Sequence, residues 1–177
     1  MAISDQNGFR YRMPYDSKIL AKLFEYPILE EIKKLKEYYD FDIVSSGKQV
    51  KYPDYTICFK ESNQVIALDV KSSYRINKDR ISGFSLGSYQ GSLRDQESVR
   101  YSVLPYSQYT KHYCICIVYD KVSSEEDVFP AQNIDVWIRE KYMIASDKPG
   151  SGNTKNIGSV KAIEDIVNSN GKFAQYG

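Results

Sequence analysis

The stretch YPDYTICFKESNQVIALDVKSSY, residues 52–74, combines two apolar runs with charged residues at their ends. Both runs are rich in β-branched and aromatic residues, which favours two strands joined by a polar turn. Asp54 precedes the first run, and Asp69 and Lys71 close the second. Charges beside a buried sheet are costly unless they are paired, bind a metal or serve a function. The stretch therefore predicts a sheet with a chemical site at one edge.

An antiparallel pairing of these strands would bring Asp54 and Asp69 together. Two close carboxylates repel each other unless a divalent cation lies between them, and oxygen ligands of this kind suit Mg²⁺. Lys71 lies two residues after Asp69 and so points to the same face of the strand. A metal and an ammonium group together can activate water and stabilise charge on a phosphoryl group, which indicates phosphodiester hydrolysis. The alternative is that these residues only end strands or form a surface ion pair.

A further acid, Glu25, ends the first apolar stripe of a predicted helical region. It could reach the same sheet edge or remain solvated on the helix surface.

The segment YDSKILAKLFEYPILEEIKKLKEYY has helical periodicity, and Pro27 is expected to divide it into two helices. Asp16 or Ser17 is the predicted N-cap.

The rest of the chain predicts one α/β or α+β domain with helices packed on a sheet. FDIV, HYCICIVYD and KYMIAS are expected to form further strands. RISGFSLGSYQGSLRDQESVRYSVLPYSQY, residues 80–109, is predicted to be a polar loop that could hold a helix from Gly91 to Arg100. Ser159 is expected to cap a short helix that ends near Asn168. SDKPGSGNTKNIGS, residues 146–159, is predicted to be a loop throughout.

Composition limits the classes of protein that fit. The formal net charge of +1 excludes a uniformly basic coat for nucleic acid, so a polyanion site needs local clustering of Lys and Arg. Three cysteines in apolar runs predict buried free thiols rather than disulfides or a zinc site. With no apolar leader and no apolar run near ~20 residues, the sequence predicts a cytoplasmic protein without a membrane partner.

The string GSGNTKNIG, residues 150–158, resembles a phosphate-binding loop only superficially. Such a loop needs Lys followed by Ser or Thr, whereas Lys155 is followed by Asn156, so no nucleotide cofactor is expected. Glycine lets the backbone approach a surface closely, and Asn can pair with adenine in the major groove. The string is therefore a candidate for reading DNA bases, with an ordinary surface turn as the alternative.

These motifs together resemble a known nuclease family. Pro53-Asp54 followed by Asp69-Val70-Lys71 resembles the PD-(D/E)xK signature, which restriction enzymes, repair nucleases and junction resolvases share. YDSKILAKLFE, YPDYTICF, IALDVKSSY, FSLGSYQGSLR, LPYSQY and SDKPGSGNTKNIGS are similar, in this order, to segments of EcoRV-like type II restriction endonucleases. The similarity extends over roughly residues 16–173. It implies a restriction-endonuclease-like fold with a central mixed sheet flanked by helices.

The resemblance implies roles for individual residues. Asp54 and Asp69 would bind Mg²⁺ with help from the carbonyl of Val70, and Lys71 would orient the attacking water. Glu25 would be an auxiliary acid and metal ligand, and Lys18 would lie near the same site. The implied DNA contacts comprise the recognition loop, a minor-groove residue and two serines: Gly150, Ser151, Gly152, Asn153, Thr154, Lys155, Asn156, Gln49, Ser72 and Ser73.

The resemblance also implies a homodimer that cuts double-stranded DNA at the palindrome GATATC and leaves blunt ends with 5′-phosphates. Residues 1–177 would be a single nuclease domain, shortened in the N-terminal dimerisation part and lacking the family's C-terminal segment. Two residues depart from the family pattern. Val50 stands where the family has a polar minor-groove residue, and Lys155 replaces a neutral residue of the recognition loop. The added charge of Lys155 favours phosphate contact over base reading. The alternatives are a structure-specific repair or resolution nuclease and a DNA-binding homologue that does not cut.

Overall fold

The computed structural model describes residues 2–12, 15–45, 51–88, 94–122, 130–150 and 155–176. Within these ranges the strands are β1 (Ala2–Ser4), β2 (Arg10–Arg12), β3 (Phe41–Ser45), β4 (Tyr55–Phe59), β5 (Val65–Asn77), β6 (Arg80–Ile81), β7 (Ser85–Ser88), β8 (Lys111–Lys121), β9 (Ala131–Glu140), β10 (Ala145–Pro149) and β11 (Asn156–Ser159). The α-helices in the same ranges are α1 (Ser17–Lys34) and α2 (Ile163–Val167).

The first helical region forms one helix, so the prediction of two helices divided by Pro27 is wrong. Pro27 lies inside α1 and is exposed. The helix continues through it because one apolar stripe packs on the sheet before and after the proline; its buried members are Leu20, Phe24 and Ile32. Asp16 caps the helix as predicted, since its Oδ1 accepts hydrogen bonds from the backbone N–H groups of Lys18 and Ile19 at 2.8 and 3.0 Å.

The central sheet is mixed, as the sequence predicted. Its strand order is β3-β4-β5-β8-β9, and β6 pairs with the carboxyl end of β5. β4 and β5 are antiparallel, with Tyr55 opposite Leu68. β5 and β8 run parallel, with Asp69 opposite Cys114. β9, a strand that the sequence did not predict, pairs antiparallel with β8.

A second, antiparallel sheet has the order β10-β11-β7. Its strands β10 and β11 occupy both ends of residues 146–159, so the prediction of a loop throughout is wrong there. The predicted strand KYMIAS is wrong in its first part, because Lys141–Ile144 form a 3₁₀ turn before β10 begins.

Ser159 ends β11 and does not cap a helix. Its hydroxyl donates to the carbonyl of Val160 and accepts from the N–H of Phe84, both at 2.8 Å. α2 begins later, with Ala162 at its N-cap. The loop predicted over residues 80–109 is wrong at its start, because β6 and β7 lie there and pair with β5 and β11. The helix that it could have held from Gly91 to Arg100 is absent over residues 94–100, which form turns and bends; residues 91–93 lie outside the described ranges.

Hydrophobic residues pack on both faces of the central sheet. On one face α1 covers side chains that include Leu68, Val70, Ile115 and Ile117. On the other face a second cluster joins Cys114, Cys116 and Val118 to residues of the small sheet and α2. Because side chains alternate along a strand, Asp69 and Lys71 point away from α1 and toward this second cluster.

The cysteines are free thiols, as predicted: Cys58 is half-buried, and Cys114 and Cys116 are buried. In the described part of the chain, no helix is both long and apolar enough to cross a membrane.

Candidate active site

The antiparallel pairing of β4 and β5 ends at Tyr55 and Leu68, and so brings Asp54 and Asp69 together just beyond the paired part of the two strands. Asp54 directly precedes β4, and its Oδ2 accepts a hydrogen bond of 2.8 Å from the backbone N–H of Val70. Asp69, the residue before Val70, is 4% exposed. The predicted meeting of the two carboxylates is therefore present in the structure.

The ammonium group of Lys71 lies between the two acids. Its Nζ is 2.8 Å from Oδ1 of Asp69 and 3.6 Å from Oδ2 of Asp54. It also donates to the carbonyl of Val70 at 3.3 Å. The two-residue spacing from Asp69 places both side chains on one face, as the sequence predicted.

A second lysine, Lys141, completes the cluster and was not predicted from the sequence. Its Nζ is 3.1 Å from Oδ2 of Asp69 and 4.0 Å from the centre of the Tyr52 ring. Lys141 follows β9, which is two strands away from β5 and 72 residues away in sequence from Asp69. No local spacing connects the two positions; only an assignment of β9 as the strand beside β8 could have suggested the contact.

The two carboxylates have different electrostatic environments. Burial, opposed by Lys71 and reinforced by the charge of Asp69, raises the pKa of Asp54 to about 6. Burial would also raise the pKa of Asp69, but Lys141 and Lys71 outweigh it and hold that pKa well below its usual range. Burial alone would lower the pKa of Lys71, yet Asp69 and Asp54 raise it above its ordinary value. The two acids therefore hold Lys71 in its charged, hydrogen-bond-donating form.

The donor set suits a hard divalent cation. Asp54 and Asp69 offer carboxylate oxygens, and Val70 offers a backbone carbonyl beside them. Among the described residues, no group of three or more His, Cys, Asp or Glu side chains is arranged to hold a metal. Mg²⁺ commonly takes only one or two protein carboxylates and completes its octahedron with water and substrate phosphate. The residues present fit Mg²⁺ in that mode.

Glu25 is connected to the site through the backbone rather than through its carboxylate. The hydroxyl of Tyr55 donates to the carbonyl of Glu25 at 3.2 Å, which ties α1 to the residue after Asp54. The Glu25 carboxylate pairs with Lys22 at 2.5 Å and is 16% exposed. Lys18 is exposed in the first turn of α1.

The two serines after Lys71 differ in their surroundings. Ser73 is 3% exposed, and its Oγ accepts a hydrogen bond of 3.0 Å from the N–H of Gly83. Its hydroxyl is therefore engaged within the protein. Ser72 is half-buried and occupies the next position along β5, on the opposite face from Lys71.

The predicted recognition loop is carried by the β10–β11 hairpin. The N–H of Gly150 donates to the carbonyl of Asn156 at 3.1 Å and closes the base of the hairpin. Lys155 is exposed and Asn156 is half-buried. Ser151, Gly152, Asn153 and Thr154, together with Gln49, lie outside the described residues.

A cleft of about 830 Å³ is lined by Lys141, the lysine that contacts Asp69, and by His112. Lys148, Lys155 and Asn156 of the hairpin line the same cleft. The two lysines of the hairpin place positive charge on the same cleft as the lysine that contacts Asp69.

Comparison with known proteins gives a family-level match. Residues 2–177 match the family described as Restriction endonuclease EcoRV. The chain is also 32% identical over 187 residues to the type II restriction enzyme EcoRV of Escherichia coli. That alignment covers 97% of this chain and 75% of the E. coli protein.

Proposed function

The chain belongs to the EcoRV family of type II restriction endonucleases, and we propose that it uses Mg²⁺ held by Asp54 and Asp69 to cut both strands of a DNA palindrome. It is a type II site-specific deoxyribonuclease with the PD-(D/E)xK fold of that family. The observation that carries the proposal is the cluster in which the Lys71 ammonium lies within 2.8 and 3.6 Å of the two carboxylates. Residues 1–177 act in this proposal as one nuclease domain.

Each residue of the cluster has a distinct task in the proposed reaction. Asp54, Asp69 and the carbonyl of Val70 hold the cation. When bound, Mg²⁺ supplies a Lewis acid for the scissile phosphate. Lys71, charged at neutral pH, orients the attacking water and stabilises the negative charge that develops on the phosphate. Glu25 is an auxiliary acid that must leave Lys22 to act, and Lys18 contacts DNA from the start of the same helix.

The β10–β11 hairpin is proposed to read the DNA sequence. Its loop, Gly150 to Thr154, would enter the major groove, where Asn153 can pair with adenine. Lys155 and Asn156 would contact the adjoining backbone or bases, Gln49 the minor groove, and Ser72 the DNA near the scissile step. Ser73, whose hydroxyl is held by Gly83, would support that step from within the protein. The proposed site is GATATC, cut at its centre to blunt ends with 5′-phosphates.

The proposed enzyme is a homodimer that works without a nucleotide cofactor in the cytoplasm. A palindrome presents two equivalent phosphodiester bonds related by a two-fold axis. A symmetric dimer places one active site on each of them.

The first test is digestion of plasmid DNA with Mg²⁺ at low salt, followed by sequencing of the cut ends. Asp69→Asn removes one metal-binding charge and should lower the cleavage rate at least ~10³-fold, because several kcal/mol of transition-state stabilisation are lost. Asp79→Asn makes the same chemical change at an exposed position outside the site and should cleave like the wild type. Circular dichroism checks that both variants are folded.

The pattern of cut ends distinguishes the alternatives. Blunt cuts within one palindrome support the proposal, and a palindrome other than GATATC corrects its specificity. Cuts that follow DNA structure rather than sequence favour a repair or resolution nuclease. Intact plasmid, together with site-specific duplex binding in Ca²⁺, favours a DNA-binding homologue that does not cut.

A further inference from the structure

Lys141 pairs with the buried carboxylate of Asp69 from the side opposite to Lys71. Each lysine contacts one oxygen of that carboxylate: Nζ of Lys71 is 2.8 Å from Oδ1, and Nζ of Lys141 is 3.1 Å from Oδ2. Lys71 also reaches Asp54, whereas Lys141 pairs, among the described residues, with Asp69 alone. Lys71 therefore lies between the two acids, where a cation that binds both of them must also lie. Lys141 lies beside Asp69 only and not between the two acids.

The ammonium group of Lys141 is held in place by an aromatic platform. It lies 4.0 Å from the centre of the Tyr52 ring, and its side chain is 13% exposed. A desolvated ammonium over an aromatic face is attracted by the ring quadrupole. The contact therefore fixes Lys141 independently of its pairing with Asp69.

The platform is itself fixed by the protein. The Tyr52 hydroxyl lies 2.7 Å from Nδ1 of His112, and the two rings stack with 5.9 Å between their centres. The backbone of Tyr52 accepts a hydrogen bond from the N–H of Val103 and donates one to the carbonyl of Tyr101, both at 2.8 Å. Lys141 is thus placed without help from metal or DNA.

We propose that Lys141 is a positioning residue that holds Oδ2 of Asp69, so that Oδ1, the oxygen on the side of Lys71, faces Asp54 and the cation. It acts through Asp69 and does not touch the DNA. By occupying one oxygen, it keeps the carboxylate from enclosing the cation with both oxygens. The proposal rests on the proposed function for its effect on cleavage, but its effect on cation binding can be measured without DNA.

The charges of the cluster give the expected direction of change. Asp54, Asp69, Lys71 and Lys141 together carry no net formal charge. Lys141→Met keeps an unbranched side chain that is one atom shorter, and leaves the cluster with one excess negative charge. A divalent cation should then bind about tenfold more tightly, as expected for one added charge at a few ångströms in a solvated cleft. Cleavage should nevertheless be about 100-fold slower, because Asp69 no longer presents the cation in the productive position.

The experiment compares the wild type, Lys141→Met, Lys141→Arg and Lys33→Met as full-length proteins. Lys33 pairs with Glu30 on the surface of α1, so Lys33→Met makes the same chemical change away from the site. Electron paramagnetic resonance of free Mn²⁺ gives the affinity of each protein without DNA, and Asp69→Asn shows how much of it belongs to this site. Plasmid cleavage at saturating Mg²⁺ gives the turnover.

Tighter Mn²⁺ binding together with slower cleavage in Lys141→Met supports the proposal, provided that Lys141→Arg and Lys33→Met bind Mn²⁺ like the wild type. A residue that only stabilised the fold would lower both quantities, and the charge-conserving arginine would not restore them. Unchanged binding and cleavage in Lys141→Met, or a parallel loss of both without rescue by arginine, overturns it. Mn²⁺ binding that does not depend on Asp69 also overturns it. A wild type that binds Mn²⁺ through Asp69 but never cleaves DNA refutes the proposed function, and the Mn²⁺ affinities still decide the role of Lys141.

Discussion

His112, the only histidine of the chain, lies in a stack of aromatic rings behind the acid pair. The centre of its ring is 4.1 Å from the centre of the Tyr106 ring, and the two rings are nearly parallel. Its Nδ1 contacts the hydroxyl of Tyr52. Burial, with a smaller contribution from Lys141, lowers the pKa of His112 to about 4. The native protein thus holds this imidazole neutral, although it is the side chain best suited to titrate near neutral pH.

This neutral histidine should make the stability of the metal-free protein depend on pH. The folded-state pKa lies below the ordinary value of about 6.5, so the unfolded chain binds the proton first as the pH falls. The stabilisation is complete above about pH 6.5 and is lost as the pH approaches 4. Between pH 7 and pH 4, the free energy of unfolding of the wild type should fall by about 2 kcal/mol more than that of His112→Asn. This difference is smaller than the full pKa shift implies, because the ring is partly exposed. Urea unfolding of wild type and variant across this range measures the difference, and equal slopes would contradict it.

The residues that the sequence predicts best are those related by strand geometry. A period of two puts Asp69 and Lys71 on one face, and antiparallel pairing brings Asp54 to them; both relations hold in the structure. Lys141 could not be found in this way, because its contact with Asp69 depends on the order of strands that are distant in sequence. Contacts between strands that are distant in sequence produce no regular residue spacing, so they cannot be predicted from local periodicity.

At the scale of elements, the errors of prediction come from tertiary contacts that override local signals. Pro27 is a local signal for a helix boundary, but the apolar stripe on both sides of it keeps α1 continuous. Serine is a residue type that often caps helices, but the hydroxyl of Ser159 accepts a hydrogen bond from the N–H of Phe84, just before β7, instead. The Gly- and Asn-rich segment looks like a loop because its strands β10 and β11 are short and polar.

The base of the β10–β11 hairpin depends on two glycines that pack backbone to backbone. A Cβ atom on Gly158 would lie 2.5 Å from the carbonyl oxygen of Lys148 and 2.9 Å from Cα of Gly150. Both neighbours are backbone atoms, so a larger residue can be accommodated only by moving the strands apart. The spacing of β10 and β11, the strands on either side of the proposed recognition loop, therefore depends on this close approach.

Gly158→Ala should separate the two strands and lower the free energy of unfolding by about 1–3 kcal/mol, as expected for overpacking in a fixed backbone. The neighbouring substitution Ser146→Ala, on the residue paired with Gly158, removes only the hydrogen bond from the N–H of Lys148. It should cost less than about 1 kcal/mol. Chemical denaturation of both variants measures the two effects. A Gly158→Ala protein as stable as the wild type would show that the hairpin base is not tightly packed.

At the scale of the whole molecule, the two sheets carry different parts of the proposed function. The central sheet presents Asp54, Asp69 and Lys71 on its face away from α1, and the small sheet carries the hairpin on that same side. Lys141, which contacts Asp69, lines the same cleft as Lys148, Lys155 and Asn156 of the hairpin. One chain supplies one acid cluster among its described residues, which matches one of the two phosphodiester bonds in a palindrome.

For the proposed homodimer, a mixed dimer with one inactive subunit tests whether each chain cuts one strand. Differently tagged wild-type and Asp69→Asn chains can be expressed together and the mixed dimer isolated through both tags. If each subunit cuts one strand, the mixed dimer should convert supercoiled plasmid to the nicked circle and only slowly to the linear form. The wild-type dimer should give linear plasmid directly, since both strands are cut in one binding event.

The control is a mixed dimer of wild-type and Asp79→Asn chains, which carries the same tags and has both acid clusters intact. It should linearise plasmid at the wild-type rate. Linear product from the Asp69→Asn mixed dimer at that same rate would mean that one active site serves both strands in turn. Because the two bonds of a palindrome are related by the dimer axis, that result would require the DNA to rebind in the opposite orientation, and it would contradict a simultaneous cut by two fixed sites.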